Sequence, residues 1–447
     1  MKKNISIVGS GLVGSLLSVY LAKRGHNVTM FERRPDMRST KISAGRSINL
    51  ALSDRGIRGL KAAGIDDDIM QIAIPMYGRQ IHHQDGTQTF QPYGKENQAI
   101  YSVSRGGINM ALMSLAEKFE NVKIKFDQRC TDVDLRKATA KFHDEKTGEN
   151  STIQSDIVLG TDGAFSPVRL ALQTSTDMFN YSQTYLEHAY KELVIPANAD
   201  GSFRMEKNAL HIWPRKSFMM IALPNIDGSF TCTLFLQLKG EESFETLKDE
   251  ASQMNFMRNY FADAIELMPT LQHDFFNNPT STLVTVRCFP WSFEDKACLV
   301  GDAAHAIVPF FGQGMNCGFE DCVVFDEMME KHGDNWKALF EEYQTLRKPN
   351  GDAVAQLALD NFIEMRDKTA DPKFLLRKKI EARIATEHPN FLSMYAQVTF
   401  SPQISYHTAY NEGQRHGVHL DKLANIENVF EKWNSDEVQS VVRELVR

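Results

Sequence analysis

The sequence predicts an α/β fold in which a nucleotide-binding domain is interrupted by an antiparallel-sheet domain and followed by a helical region. Three observations lead to this prediction. The chain opens with a strand–turn–helix–strand pattern, residues 183–240 are rich in strand signals, and the chain from about residue 315 onward has mainly helical patterns. A parallel sheet, an antiparallel sheet and a set of helices are therefore expected in that order.

The first unit is a β–α–β motif built around glycines. "NISIV" is a short apolar strand, apolar residues between Val13 and Leu21 recur at helical spacing, and "NVTMFER" supplies a second strand. Between the first strand and the helix, "GSGLVG" places Gly9, Gly11 and Gly14 in a G-x-G-x-x-G pattern. Glycines at these positions permit a tight turn, a close approach of the backbone to a pyrophosphate, and close helix–strand packing.

Glu32, at the end of the second strand, strengthens the interpretation as a dinucleotide site. A carboxylate there can accept hydrogen bonds from ribose hydroxyls, whereas a 2′-phosphate would favour a cation. The N-terminus of the helix adds unpaired amides and a partial positive charge for phosphate. The alternative is a glycine-rich turn that binds nothing, and the strand–helix context disfavours it. The unit therefore predicts bound FAD or NAD.

The later elements follow from similar periodicities. Residues 98–175 return to mixed α/β, with a strand at "DIVLGTDG", and "NIDGS" marks a turn within the β-rich stretch. Residues 243–268 have a helical pattern, and residues 296–300 form a second buried strand. The prolines expected to separate the C-terminal helices are Pro349, Pro372, Pro389 and Pro402.

The predicted domain boundaries follow this order. The nucleotide-binding domain takes residues 1–180, with an insertion from the substrate-binding sheet domain near residues 70–100, and it resumes at residues 291–330. The antiparallel-sheet domain takes residues 181–290, and residues 331–447 form the helical C-terminal region.

Composition narrows the class of protein. With 447 residues, of which 42% are hydrophobic, the chain can bury a sizeable core. A net charge of −7 and a pI near 6.0 argue against an electrostatic surface for nucleic acid or anionic membranes. Six scattered cysteines without a C-x-x-C pair predict buried thiols in a reducing compartment. No signal peptide, C-terminal anchor or long apolar run is recognisable, so we expect a cytoplasmic protein.

The stretch "CLVGDAAHAIVPFFGQGMN" allows a metal site, an acid–base pair or a cofactor contact. Asp302, His305 and Cys317 lack the short, regular spacing of a zinc site, so no metal is predicted. A packed, hydrogen-bonded His305 is favoured over a catalytic one. Asp302 follows a buried strand, as Asp162 does in "GTDGAFSPVR", and ligands of open α/β sheets bind outside such strand ends. For Asp162, an ordinary turn carboxylate is the alternative.

Two segments, "GRSINLALSDRG" at residues 45–56 and "MYGRQIH" at residues 76–82, place arginines among apolar residues. Such an arginine can grip a carboxylate or phosphate with two parallel hydrogen bonds, or it can pair with a carboxylate of the fold. Spacing alone leaves both possibilities open.

Four motifs in this order, "GSGLVG…FER", "SVSRGGIN", "GTDGAFSPVR" and "LVGDAAHAIVPFFGQGMN", resemble the class A flavoprotein monooxygenases, which are single-FAD aromatic hydroxylases. Longer strings resemble the kynurenine 3-monooxygenase family over nearly the whole chain. These strings are "GRSINLALS", "QPYG", "IWPRKSFMMIALPN", "DNFIEMRD" and "YAQVTFS".

The resemblance implies an FAD-binding Rossmann-like domain and hydroxylation of L-kynurenine to 3-hydroxykynurenine with NADPH and O2, through a flavin C4a-hydroperoxide. This reaction belongs to tryptophan degradation and NAD biosynthesis. Because the flavin carries the chemistry, we expect no catalytic side chain. A second G-x-G-x-x-G is not found, which agrees with the family's lack of a separate nicotinamide domain and leaves the NADPH site unplaced. A C-terminal hydrophobic segment, present in many eukaryotic relatives, is not found either.

The resemblance also implies site residues. The implied FAD contacts are Gly9, Gly11, Val13, Gly14, Phe31, Glu32, Arg33, Arg34, Ala51, Arg105, Cys130, Asp302, Met315 and Asn316. The implied substrate contacts are Arg79, Tyr93, Asn361 and Tyr395. Pro309, Phe310 and Phe311 are expected to form an apolar wall that keeps water from the reaction, with Phe310 beside the substrate. The segment from Asn361 to Tyr395 is one residue shorter than the family pattern.

Three other functions compete with this interpretation. A class A hydroxylase acting on another aromatic acid is disfavoured by the segments around Arg79 and Asn361. An FAD-dependent reductase or halogenase of the same fold is a second alternative, although the W-x-W-x-I-P string of halogenases is not found. A non-enzymatic FAD-bound scaffold is the third, but the aromatic and methionine residues of its C-terminal helices are more simply explained as core.

Overall fold

The computed structural model describes residues 1–39, 49–94, 97–364 and 371–447. Residues 45–48 of "GRSINLALS" and residues 365–367 of "DNFIEMRD" lie outside the described residues. The strands are β1 (Asn4–Val8), β2 (Asn27–Phe31), β3 (Asn49–Leu52), β4 (Ile74–Met76), β5 (Gly78–His82), β6 (Gln88–Pro92), β7 (Ile100–Ser104), β8 (Val122–Lys125), β9 (Gln128–Asp134), β10 (Thr139–Asp144), β11 (Asn150–Gln154), β12 (Ile157–Gly160), β13 (Asn180–Ile195), β14 (Ala209–Arg215), β15 (Phe218–Pro224), β16 (Phe230–Gln237), β17 (Ser281–Phe289), β18 (Ser292–Phe293) and β19 (Ala297–Leu299).

Helices surround these strands and make up most of the C-terminal part. They are α1 (Leu12–Lys23), α2 (Asp54–Ala63), α3 (Asp66–Gln71), α4 (Arg105–Ala116), α5 (Pro167–Ser175), α6 (Glu250–Tyr260), α7 (Ala262–Ile265), α8 (Leu271–Asn277), α9 (Asp302–His305), α10 (Gly314–His332), α11 (Trp336–Ile363), α12 (Pro372–Glu387), α13 (Met394–Phe400), α14 (Tyr406–Ala424) and α15 (Asp436–Val446), with a 3₁₀ turn at Pro309–Phe311.

The nucleotide-binding part is a six-stranded sheet of order β18–β19–β12–β1–β2–β8. Its strands are parallel except for β18, which pairs antiparallel with β19. Four of the five residues of β1 are buried, as expected for a parallel strand covered on both faces. The predicted β–α–β unit is therefore confirmed, and the carboxyl ends of β1, β2, β12 and β19 meet at one edge of the sheet.

The turn between β1 and α1 depends on glycine at two positions. Gly9 has φ +96°, a conformation that L side chains rarely adopt. A Cβ atom on Gly14 would lie 2.1 Å from the Gly9 carbonyl oxygen and 2.5 Å from Thr161 Oγ1. A Cβ on Gly11, by contrast, would meet nothing within 4 Å. Gly9 and Gly14 therefore bring helix and strand together, whereas Gly11 faces open space.

The second large sheet has seven strands in the order β17–β13–β16–β15–β14–β5–β6. Its neighbours pair antiparallel except for β5 with β14. Even-numbered residues of β16, such as Leu234, pack against α6 and α8 in one hydrophobic core. Odd-numbered residues point to the opposite face, where Thr233 lies opposite Ile221 and Phe235 opposite Met219. The predicted antiparallel sheet is confirmed.

The C-terminal helices build their own cores. α12, α14 and α15 share a cluster around Trp433, and α11, α13 and α14 share another around Val354 and Tyr406. The predicted α/β architecture, a Rossmann-like parallel sheet with an inserted antiparallel sheet and a helical C-terminal region, is thus confirmed. The exact domain boundaries stay a prediction. Within the described part of the chain, no helix is both long and apolar enough to cross a membrane.

Two local predictions were wrong. Pro349 does not separate helices but lies inside α11, where the buried residues Tyr343, Val354 and Leu357 supply tertiary packing that offsets the missing backbone hydrogen bond. The helix predicted over residues 243–268 begins only at Glu250, because Asp249 and Ser252 form a capping box that starts α6 there.

We expect Gly14→Ala to lower the free energy of unfolding by about 1–3 kcal/mol, because the new methyl group forces α1 away from the Gly9 carbonyl. Urea unfolding of the FAD-free protein measures the change. Gly11→Ala is the matched control and should leave stability within about 0.5 kcal/mol of wild type. Equal effects of the two substitutions would contradict this account of the turn.

Candidate active site

A cavity of about 400 Å³ lies between the carboxyl edge of the parallel sheet and the odd-numbered face of the seven-stranded sheet. Many of the predicted site residues line it. These are Gly11, Val13, Arg33, Arg34, Ala51, Arg79, Tyr93, Arg105, Asp302, Phe310, Met315, Asn361 and Tyr395. Other predicted residues lie next to the wall or behind it, namely Gly9, Gly14, Phe31, Glu32, Cys130 and Asn316.

The glycine turn forms one end of the cavity. Gly11 is the N-cap of α1, and within the described ranges no side chain caps the first amides of this helix. An uncapped helix N-terminus carries unpaired N–H donors and a partial positive charge. Arg33 and Arg34 add two guanidinium groups to the same end of the cavity. This end is therefore suited to bind phosphate.

Glu32 supports this end from behind. Its Oε2 accepts a hydrogen bond from the Ser10 amide at 3.1 Å, and its Oε1 accepts from the amide and Nε of Arg34 at 3.1 and 2.7 Å. The carboxylate therefore fixes both the turn and one arginine. A carboxylate has about four acceptor positions, so ribose hydroxyls can still donate to it.

Two predicted contacts are packed away from the cavity. The Phe31 ring stacks on Phe142 with centroids 4.0 Å apart and is 2% exposed. Cys130 lies on the antiparallel strand β9, and burial together with the nearby charge of Asp162 raises the pKa of its thiol to about 12. Both side chains therefore serve the core beneath the cavity rather than its surface.

Two acids face the cavity near the strand ends. Asp162 follows β12, and Asp302 begins α9 directly after Gly301, which has φ +68°. Burial raises the pKa of Asp162 from 3.8 to about 6, although its Oδ2 accepts from the Val168 amide at 3.2 Å. Its Oδ1 is buried and has no hydrogen-bond partner among the described residues. Burial also raises the pKa of Asp302, an effect that the charge of Arg105 opposes.

The N-terminus of α10 closes the middle of the cavity. Gly312 has φ +68°, and Gly314 and Met315 of the first turn line the cavity. The Asn316 side chain points away from it. Its Oδ1 accepts from the Ser53 amide at 2.9 Å, and its Nδ2 donates to the carbonyls of Ala51 and Gly312 at 2.9 and 3.0 Å. Asn316 therefore fixes the helix start and leaves backbone amides to face a ligand.

The far half of the cavity is mainly apolar. Its wall comes from alternate residues of neighbouring strands and from the segment around the 3₁₀ turn. The residues are Leu210, Ile212, Met219, Ile221, Leu223, Thr233, Phe235, Ile307, Pro309, Phe310 and Phe311. Phe310 contacts Phe235 and Phe362, with ring centroids 4.9 and 4.4 Å apart. Such a wall excludes water from whatever it encloses.

A cationic cluster lies in this far half. Arg79 of β5 is within 5.4 Å of the Tyr93 ring centroid and 5.1 Å of the Tyr395 ring centroid. The two tyrosine rings stack with centroids 5.3 Å apart, and the Tyr93 hydroxyl is buried without a hydrogen-bond partner among the described residues. Burial raises the pKa of both tyrosine hydroxyls, so they remain donors.

Asn361 belongs to the same cluster as Arg79 and the two tyrosines. Asn361 Nδ2 donates to the Phe310 carbonyl at 2.7 Å, which joins the cluster to the apolar wall. No carboxylate of the described chain lies within ion-pairing distance of Arg79, so its charge is available to an anionic ligand.

The sequence missed the strand face that forms most of the apolar wall. Each of these residues is an ordinary apolar position of a strand, and only the pairing of strands distant in sequence brings them together. The alternation of side chains between the two sheet faces along β15 and β16 was the available signal. It does not indicate which face packs against helices and which lines a cavity.

His305, Cys317 and Asp321 also have side-chain atoms within 4.8 Å of one another. Asp321 Oδ2 accepts from His305 Nε2 at 2.6 Å and from the Gly301 amide at 3.1 Å, and its Oδ1 accepts from Arg347 Nε at 2.6 Å. Both carboxylate oxygens are thus used within the protein. The predicted packed, hydrogen-bonded His305 is confirmed.

We expect Asp162→Asn to stabilise the FAD-free protein at pH 8 but not at pH 4. When folding raises the pKa of an acid, its full contribution to the free energy of unfolding is present at a pH below the pKa of the unfolded state. That contribution is lost as the pH rises through the pKa of the folded state. For a rise from 3.8 to about 6, the loss amounts to about 2–3 kcal/mol above pH 7. Asparagine cannot ionise, so urea unfolding at pH 4, 6 and 8 should show a growing advantage for the variant. A difference that does not change with pH would contradict this.

Comparison with known proteins agrees with this geometry. Residues 2–358 match the FAD binding domain family. Solved structures with the same fold include 2-methyl-3-hydroxypyridine-5-carboxylic acid oxygenase, with a TM-score of 0.66 and 18% identity over 84% of this chain and 95% of that one. Another is Pseudomonas aeruginosa PqsL in complex with 2-aminobenzoylacetate, with a TM-score of 0.63 and 17% identity over 82% of this chain and 97% of that one.

Sequence relatives are much more similar. A kynurenine 3-monooxygenase from Christiangramia forsetii is 48% identical over 447 residues, which is 100% of this chain and 99% of the relative. Those from Flavobacterium johnsoniae and Sus scrofa are 50% and 43% identical, over 99% and 91% of this chain and 98% and 86% of the relatives. This chain therefore belongs to the kynurenine 3-monooxygenase family.

Proposed function

We propose that this protein hydroxylates L-kynurenine to 3-hydroxykynurenine with NADPH and O2 as cosubstrates and FAD as bound cofactor. The observation that carries the proposal is one continuous cavity with two distinct ends. A glycine turn suited to phosphate lies at one end, and Arg79, which forms no salt bridge with a carboxylate among the described residues, lies in an apolar half at the other. FAD, when bound and reduced by NADPH, would supply the chemistry that activates O2, so that one oxygen atom of O2 enters the aromatic ring and the other is released as water.

The residues of the first end fit FAD. The open space at Gly11, the uncapped N-terminus of α1, and Arg33 and Arg34 would hold the pyrophosphate. Glu32 would accept hydrogen bonds from the adenosine ribose. Asp302 and the Oδ1 of Asp162, which has no hydrogen-bond partner among the residues described, would supply acceptors for further hydroxyls of the cofactor.

The start of α10 suits the flavin ring. Gly314 and Met315 present the backbone of an uncapped helix N-terminus to the cavity. The positive end of the helix dipole would stabilise negative charge on the reduced ring, because charge–dipole interactions are strong where water is excluded. Asn316 contributes indirectly, by fixing this turn against Ser53 and Ala51.

The far half would bind kynurenine. Arg79 would pair with the substrate carboxylate, with Tyr93 and Tyr395 donating hydroxyl hydrogen bonds and Asn361 close by. Phe310, Phe311 and Phe235 would pack against the aryl group and keep water from the reacting carbon. No side chain of the protein is needed as a nucleophile.

The decisive test of the function is an assay of the purified, FAD-loaded protein with NADPH, L-kynurenine and isotopically labelled O2. Mass spectrometry should show a single labelled oxygen on the kynurenine ring, with NADPH oxidation stimulated by kynurenine. NADPH oxidation without an oxygenated product, or oxygenation of a different aromatic acid only, would contradict the proposal.

We expect Arg79→Met to raise KM for kynurenine roughly 10- to 150-fold, the effect of losing a hydrogen-bonded charge partner. Steady-state kinetics measure the change, and FAD content should stay at the wild-type level. Arg58→Met is the control, because Arg58 is an exposed arginine paired with Glu327. An unchanged KM in Arg79→Met would show that the carboxylate binds elsewhere.

We expect Thr233→Val to raise KM for kynurenine about 2- to 10-fold, because this residue places a hydroxyl on the otherwise apolar cavity face of β15 and β16. The hydroxyl can bond to the polar substituents of the substrate's aryl ketone. Thr231→Val is the matched control on the same face of the strand, since the Thr231 hydroxyl accepts from Asn225 Nδ2 at 3.1 Å. If both variants keep the wild-type KM, Thr233 has no role in binding.

A further inference from the structure

Arg55 of α2 is the most completely buried arginine near the substrate half, with 1% of its surface exposed. Its guanidinium reaches the C-terminal end of α13. Nε donates to the Val398 carbonyl at 2.7 Å, and Nη2 donates to the Gln397 carbonyl at 3.2 Å. Nη2 also contacts the carbonyls of Ser401 and Ile404 just beyond the helix. Arg55 therefore pairs with four carbonyls of one short segment.

A chain of buried charges holds this guanidinium in place. Arg55 Nη1 lies 2.5 Å from Glu320 Oε1, and Glu320 Oε2 lies 2.5 Å from Arg347 Nη1. Arg347 Nε continues to Asp321 at 2.6 Å, and Asp321 accepts from His305 as described above. We call these five residues, Arg55, Glu320, Arg347, Asp321 and His305, the buried ion chain. Because each charge in it is paired, the Arg55 side chain has one fixed position.

Aromatic packing adds a further constraint. Arg55 Cζ lies 4.1 Å from the centroid of the Tyr406 ring, and the Tyr406 hydroxyl donates to Gln313 Oε1 at 2.8 Å. Gln313 is the N-cap of α10, whose first turn lines the cavity. The same arginine therefore contacts the segment after α13 and, through one tyrosine, the start of α10.

The helix that Arg55 holds carries a residue of the substrate half. α13 has only seven residues, a length at which an isolated helix is not stable in water. Its position must come from tertiary contacts. Tyr395, in its first turn, stacks on Tyr93 and lies 5.1 Å from Arg79, whereas Arg55 binds its other end.

We infer that Arg55 is a positioning residue for substrate binding, which holds α13 so that Tyr395 completes the carboxylate site with Arg79 and Tyr93. The inference rests on the proposed function only in naming kynurenine as the ligand. Arg55 does not line the cavity, so its effect on binding passes through α13.

The test compares Arg55→Met/Glu320→Gln with wild type, both loaded with FAD. The second substitution removes the Glu320 charge, because without Arg55 the single guanidinium of Arg347 would have to pair with both Glu320 and Asp321. We expect FAD content to stay unchanged, the Kd for kynurenine from flavin absorbance titration to rise at least about tenfold, and kcat at saturation to stay within about threefold. An unchanged Kd would overturn the inference. Arg55→Lys, which keeps the charge but not the fork of donors, should give an intermediate Kd.

A double-mutant cycle with Tyr395→Ala separates positioning from general loss of stability. If Arg55 acts through Tyr395, adding Arg55→Met/Glu320→Gln to Tyr395→Ala should change Kd by less than about twofold. Full additivity would overturn the inference. Lys191→Met is the matched control, because Lys191 is a buried cation that donates to the Phe275 and Asn278 carbonyls on the sheet face away from the cavity. It should lower stability and leave Kd unchanged.

Hydrogen exchange of the FAD-loaded protein without substrate gives a readout that does not depend on kynurenine. Amides of residues 394–404 should exchange faster in Arg55→Met/Glu320→Gln than in wild type, but not in Lys191→Met. Equal exchange in all three proteins would overturn the inference. If wild type does not hydroxylate kynurenine but this exchange difference is found, the proposed function fails and the role of Arg55 in holding α13 stands.

Discussion

The buried ion chain is the interaction on which the arrangement of the site depends. Two arginines and two carboxylates, with His305 at one end, join α2, α9, α10, α11 and the end of α13 in a region without access to water. Buried charges are tolerated only when each is paired and hydrogen-bonded, and removal of one partner leaves another uncompensated. The positions of these helices are therefore mutually dependent, and the substrate half of the cavity is built on them.

The cavity itself has a gradient of polarity that follows from its two walls. The carboxyl edge of a parallel sheet supplies strand-end turns and helix N-termini, which are polar and carry the two acids with raised pKa values. The face of an antiparallel sheet supplies alternate apolar side chains. Because these two surfaces face each other, the cavity has a polar channel that ends in an apolar chamber. A flavin hydroxylase needs both parts, since it must bind a dinucleotide and must exclude water from the reacting oxygen.

The sequence predicted the elements with local signals and failed where the structure depends on distant partners. The strand–glycine turn–helix unit has short-range periodicity and was found, as was the antiparallel sheet. The sequence did not predict that Pro349 lies inside α11 or that β15 and β16 form an apolar cavity wall, because tertiary packing decides both features. Resemblance to a family grouped Arg79, Tyr93 and Tyr395, which local patterns could not join, and the structure brings these side chains together. Their role as substrate contacts stays a prediction. For Arg55, spacing left open whether it grips a ligand or pairs within the fold, and the structure shows a pair with Glu320. The side chains of Phe31 and Asn316 are engaged within the protein, and the FAD contacts implied for these residues stay a prediction.

In the proposed function, the absence of a carboxylate partner for Arg79 within the described chain would allow a mainly apolar chamber to select an amino acid. A guanidinium flanked by two aromatic rings is partly desolvated, and no salt bridge within the described chain compensates for the lost hydration. A ligand with a carboxylate would offset the desolvation free energy of the guanidinium, whereas a neutral aromatic compound of the same size would not. Selection for the anion would then occur at one end of the ligand, while the apolar wall and Thr233 would hold the aryl ketone at the other. The chamber can therefore remain dry around the reacting carbon without losing specificity.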